Sequence, residues 1–197
     1  MSFFKKLFSG KIESPKEKSI KEQEVHLSLD DLFVHNFINK GGKFLYCTSH
    51  EEVIMNLVGI IDENKWKIIT SLNEKTLSQF TDSLSIEIDF DINSNTPVFT
   101  TCEHLVADSG SVLFTSNQLK EKKIYELSTH FIVFAKTSQL VKDMGEGLTG
   151  IKSSCKRSIP TNISSIRNFT LEKDEENIVS NPNSNSKNLY LLLFEDL

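Results

Sequence analysis

The chain has 197 residues, a net charge of −5, 38% hydrophobic and 25% charged residues, which suffices for one domain with a sizeable core but not for two comfortable ones. The acidic balance argues against a nucleic-acid partner, because phosphate binding draws its affinity from clustered Lys and Arg. No apolar run approaches the roughly 20 residues that a bilayer span needs, and the amino terminus lacks the apolar centre of a secretory signal, so no transmembrane segment and a cytoplasmic protein are expected.

Residues 1–24 open on Phe3-Phe4-Lys5-Lys6-Leu7-Phe8 and continue with mixed charge around Pro15. Such a stretch buries too little apolar area to order itself and reads as a flexible, basic to mixed-charge tether. The domain proper is expected over 25–197. Ser28 is an N-cap for a helix from Leu29 to Asn39, in which Leu32, Phe33, Asn36 and Phe37 keep helical spacing and Gly41-Gly42 supplies the stop. A strand, Lys43 to Cys47, follows. Ser49 with Glu52 forms a capping box ahead of a second helix whose apolar face is Val53, Ile54, Leu57, Val58 and Ile61.

Trp66 to Thr70 reads as a strand, Asn73 to Leu84 as a third helix, and Ile86-Glu87-Ile88-Asp89-Phe90 alternates like a half-exposed edge strand. Alternating helices and strands predict an α/β fold, a mostly parallel central sheet flanked by helices in a single domain. Strands are then expected at Val98 to Thr101, Ser111 to Thr115 and Ser128 to Ala135. A helix is expected from Ser138 to about Met144, with Gly145, Gly147 and Gly150 loosening the chain beyond its end. Asn181 to Asn188 is a low-complexity loop, and the continuously apolar Leu189 to Phe194 predicts a central strand.

Cys47, Cys102 and Cys155 lie too far apart in sequence to write a Cys-x-x-Cys metal site or an iron–sulfur run, so no metal or other cofactor is assigned. His26, His35, His50 and His130 show no metal-ligand spacing either. Glu103 and His104 would form an acid–base pair only if both reached one pocket, yet neighbours on an extended strand point to opposite faces. Glu103 is kept as a weaker catalytic candidate.

The strongest candidate site is the turn Ala107-Asp108-Ser109-Gly110-Ser111, which opens directly onto an apolar strand. Gly110 can take angles closed to other residues, and the flanking hydroxyls and amides would suit a small anionic ligand. This turn, the strand after it and the closing apolar strand resemble the LUD-domain family, lactate-utilisation proteins of the LutC/YkgG type. The family's shared turn is Ala-Glu-Thr-Gly-Thr. Asp108 stands at its acidic position, Gly110 at its glycine, and Ser109 and Ser111 at its threonines.

The resemblance covers roughly residues 28–197 and implies a CoA-transferase-like (NagB/RpiA-like) fold. It also implies a non-redox role in oxidising L-lactate to pyruvate beside separate iron–sulfur protein subunits. On it, Asp108 is the catalytic candidate, with Ser109, Gly110, Ser111, Thr161, Asn162 and Arg167 as ligand-binding residues. The chain departs from the family at Ser158-Ile159-Pro160-Thr161-Asn162-Ile163, where a Gly-Pro-Ser-x-Thr-Ala-Asp-Ile motif loses its glycine and its acid. It departs again before the last strand, where Asn and Ser replace a Gly-Val-His-Gly-Pro segment. The other functions open to such a chain are a stand-alone enzyme of the CoA-transferase-like or folate-ligase-like kind acting on a carboxylated small molecule, and a degenerate interaction module.

Overall fold

The computed structural model describes residues 27–92, 94–154, 160–171 and 185–196. The predicted tether, Cys155, Lys156, Arg157 and the first half of the Asn/Ser-rich loop lie outside them. The elements run α1 (Leu29–Asn39), β1 (Lys43–Cys47), α2 (His50–Asn64), β2 (Ile68–Ser71), α3 (Glu74–Thr81), β3 (Glu87–Asp89), β4 (Val98–Thr101), β5 (His104–Val106), β6 (Ser111–Thr115), β7 (His130–Lys136), β8 (Leu140–Val141), α4 (Met144–Ser154), β9 (Ile163–Ile166) and β10 (Asn188–Phe194).

Six strands form one sheet in the order β1-β10-β7-β4-β2-β3, and every pairing in it is parallel. A parallel sheet must be covered on both faces, and alternation along its strands sorts side chains to two cores. In β10, Leu189, Leu191 and Leu193 face a core built with Phe33 and Phe37 of α1. Tyr190 and Leu192 face the other, built with Leu57 of α2 and Phe80 of α3. The unbroken apolar run thus belongs to a strand paired on both sides. The acidic β3 lies at the sheet's edge, where its carboxylates discourage further pairing.

A second sheet, β8-β5-β6-β9, is antiparallel except where β5 meets β8. It covers the α1 side of the parallel sheet, and α4 closes its outer face through Val106, Leu113, Val141 and Ile151.

The helix expected over Ser138 to Met144 is absent. That stretch holds a 3-10 turn (Thr137–Gln139) and β8, and the helix starts at Met144. Its start is set by Asp143, whose Oδ1 accepts from the Glu146 amide at 2.9 Å, while Glu146 Oε2 accepts from the Lys142 amide at 2.6 Å. Gly147 and Gly150 are inside the helix because they let it approach the sheet. A Cβ on Gly150 would lie 2.7 Å from His104 Nε2, and one on Gly147 3.3 Å from Leu113. Among the described residues, no helix is long and apolar enough to cross a membrane.

Candidate functional site

From β2 the chain turns outward to β3, whereas from β4 it leaves for the second sheet and returns on the other side at β7. Adjacent strands whose connections diverge leave a crevice beyond their carboxyl ends. Here the diverging strands end at Ser71 of β2 and Thr101 of β4, neighbours with Ser71 opposite Phe99.

The Thr70 and Ser71 hydroxyls, on opposite faces of β2, are buried at 0% and 1% exposure with no hydrogen-bond partner. Asn73 bridges the two strand ends, its Oδ1 accepting from Thr100 Oγ1 at 2.7 Å and from the Thr101 amide at 3.1 Å. An unpaired buried hydroxyl costs about 1–3 kcal/mol. Thr70→Val keeps the shape without the hydroxyl, so it is expected to stabilise the chain by about 1 kcal/mol, read as a higher urea midpoint with unchanged slope. A loss of stability would show that the hydroxyl is bonded in solution.

Glu103 lies between the end of β4 and the start of β5. Its carboxylate accepts from Thr115 Oγ1 at 3.2 Å, and Gln139 Nε2 fixes the turn by donating to the Cys102 carbonyl at 2.5 Å and the Glu103 carbonyl at 3.1 Å. His104 points elsewhere, with Nδ1 at 3.3 Å from the Gln139 carbonyl and its ring beneath the α4 glycines. The pair therefore does not meet in one pocket. Thr161 and Asn162 share this end with Glu103. Their amides donate to Ser116 Oγ at 3.0 and 3.4 Å, and Thr161 Oγ1 donates to Glu121 Oε2 at 2.5 Å.

Farther along the rim Asp196 ties β10 to β7. Its carboxylate accepts from Thr137 Oγ1, the Ser138 amide and Ser138 Oγ at 2.9, 3.0 and 2.8 Å, and Lys136 lies at 3.6 Å. Burial pushes this carboxyl up, but the Ser138 hydrogen bonds outweigh it and hold the group below the usual carboxylate range.

Asp108, Ser109, Gly110 and Ser111 lie at the opposite end of β6, roughly 14 Å away at about 3.4 Å per residue. The turn is clasped by α1. Asn36 Nδ2 donates to the Ala107 and Asp108 carbonyls at 2.8 and 3.1 Å, and Lys40 Nζ donates to the Ser109 carbonyl. The Ala107 and Asp108 amides are taken by the Val141 and Lys142 carbonyls at 2.9 and 3.1 Å. Ser109 Oγ and Ser111 Oγ bond each other at 2.7 Å. Gly110, at φ +59°, lies so close to α1 that a Cβ would sit 2.5 Å from the backbone of Asn36 and Phe37. The Asp108 side chain stays exposed, with no hydrogen bond or ion pair among the described residues.

Arg167 follows Ile166, which pairs with Val112, so it joins the Ser111 end. With Ser165, Asn168, Asn185 and Ser186 it lines a polar cavity of about 340 Å³, and its Nε donates to Ser165 Oγ at 3.2 Å.

Asn73, Gln139, Asn36 and the two unpartnered hydroxyls escaped sequence reasoning. The one legible signal is Asn73 itself, a capping residue directly before a helical pattern. Cys47 and Cys102 are buried in different cores, on opposite faces of the parallel sheet, and burial, with Glu103 beside it, pushes the Cys102 thiol far up. These two thiols cannot ligate one cluster.

The LUD domain family model matches residues 31–194. A solved structure of a DUF162 family protein from Deinococcus radiodurans, at 11% identity, superposes with a TM-score of 0.56 over 86% of this chain and 99% of that one. No curated protein matches the chain.

Proposed function

Because this chain belongs to the LUD-domain family, we propose that it is a cytoplasmic, non-redox component of an L-lactate utilisation system. Separate iron–sulfur proteins would pass the electrons as lactate becomes pyruvate, and this chain would hold the small acid. The observation that carries the proposal is the switch point beyond β2 and β4, where the Ser71 hydroxyl is buried without a partner at the end of β2 and Glu103 follows the end of β4. Glu103 would accept a hydrogen bond from a substrate hydroxyl, with Thr161 and Asn162 holding the loop at its side.

The Asp108 turn serves assembly in this proposal. Clasped by α1, it presents its carboxylate on a rigid support, with Ser109, Gly110 and Ser111 behind it and Arg167 beside Ser111 as the basic counterpart. Burial of Cys47 and Cys102 in separate cores supports the division of labour with cysteine-rich partners. A second proposal, a stand-alone enzyme acting on a carboxylated molecule, is favoured by the position of Glu103 at the switch point, where it could serve as a nucleophile or base.

Anaerobic purification of the tagged native protein from its own cells separates the two. The expected result is co-elution of cysteine-rich proteins with iron–sulfur absorbance, and a complex that oxidises L-lactate to pyruvate and loses that activity when this chain is omitted. Elution without companions would sink the lactate-system proposal and leave the stand-alone enzyme.

A further inference from the structure

Helix α3 starts without a side-chain cap, because Asn73, at its N-cap, commits its Oδ1 to Thr100 and Thr101 of β4. The Thr76 and Leu77 amides donate to the Asn73 carbonyl at 3.0 Å each. The Glu74 and Lys75 amides are left as the helix's open donors, at the positive end of its dipole.

Ser71 precedes them at the end of β2. As the last residue of β2 it shares a face with Ile69, which packs with Leu77 and Phe80 of α3, so its hydroxyl is on the side that α3 covers. It is 1% exposed and unpartnered. Open amides at a helix start are common, but a buried hydroxyl without a partner on the face that the same helix covers is not.

We propose that the amino end of α3 and the Ser71 hydroxyl form an oxyanion subsite that takes the carboxylate of a small organic acid or a phosphate group. An oxygen seated there would accept from the Glu74 and Lys75 amides and from Ser71 Oγ together. The subsite deepens the lactate proposal and rests on it for the identity of the acid. Glu74 is exposed in the first turn, so its carboxylate competes for the same amides, and Lys75 next to it favours the ligand.

The test is titration of the ¹⁵N-labelled full chain with L-lactate and, separately, with inorganic phosphate. Saturable shifts of the Glu74, Lys75 and Thr76 amides are expected. Affinity should fall about fivefold in Ser71→Ala, the worth of one net hydrogen bond, and rise about twofold in Glu74→Gln. Ser71→Ala removes a hydroxyl that bonds nothing, so its unligated spectrum stays folded and any loss of affinity belongs to the site.

Saturation by lactate alone assigns an organic acid, and saturation by phosphate alone a phosphate ligand. Absence of saturation with both probes, or affinity unchanged in both variants, overturns the subsite. Such a failure leaves the lactate proposal standing if iron–sulfur proteins co-purify. Saturation in a chain that recovers none keeps the subsite and removes the lactate system.

Discussion

Gly110→Val is expected to cost about 3–5 kcal/mol and to leave the chain partly unfolded at ambient temperature. Two effects add. The backbone sits at φ +59°, which a β-branched residue enters only with strain. The added Cβ would also meet the Asn36 and Phe37 backbone at 2.5 Å, and backbone inside a helix cannot swing aside. Helix α1 would have to lift, breaking the Asn36 bonds to the Ala107 and Asp108 carbonyls and pulling Phe33 and Phe37 from the core.

Urea unfolding followed by circular dichroism measures this directly. Asp108→Asn, changing an exposed side chain, should stay within about 0.5 kcal/mol of the parent. If Gly110→Val were as stable as Asp108→Asn, the glycine would not be holding α1 against the turn.

Lys187→Met is expected to stabilise the chain by about 1–2 kcal/mol at pH 7. Lys187 is 2% exposed. Its ammonium donates to the Leu127 carbonyl at 2.9 Å and lies 5.6 Å from the centre of the Phe131 ring. No carboxylate pairs with it among the described residues, and burial pushes its pKa down to about 8.

The sign comes from linkage. Between pH 8 and the ordinary lysine range the unfolded chain keeps a proton that the folded chain has released, so stability rises as pH rises through that window. At neutral pH folding carries the full cost of the buried charge, with an upper bound of about 3 kcal/mol. Methionine removes that cost and gives back about 1 kcal/mol for the Leu127 carbonyl left without its donor. Urea midpoints at pH 7 and pH 10 should therefore differ between Lys187→Met and the parent at the lower pH and converge at the higher. A difference independent of pH would show that the lysine keeps its proton throughout.

Local chemistry decided how much of this was legible in the sequence. Ser28 and Ser49 cap their helices as their spacing predicts, each side chain accepting from the amide three residues on. The bounds of α1 and β1 come from apolar spacing, a cap and a glycine pair. The capping pair Asp143 and Glu146 was equally present in the sequence, but the glycines after it suggest loosening. Only contact with His104 and Leu113 shows them to be an approach surface for α4. Intrinsic glycine propensity, a cost of about 1 kcal/mol per residue, was overridden by packing.

The candidate residues look continuous in sequence because they cluster around β6 and β9, yet those strands run antiparallel. Arg167 is thereby carried to the Ser111 end, and Thr161 and Asn162 to the Glu103 end.

By itself the sequence determined the alternation of helices and strands, the parallel sheet with its apolar closing strand, and the glycine turn before β6, since each is written in residues two to four positions apart. Tertiary structure alone decided that Gly110 belongs to α1, through a residue 71 positions from Ala107. It also decided that Asn73 abandons its helix for β4, 27 positions away, and that Lys187 is buried. Caps and periodicities are short-range and survive in the chain as pattern. Which polar groups find a partner depends on chain crossings, and those crossings leave the Ser71 hydroxyl unpartnered on the face that an uncapped helix covers.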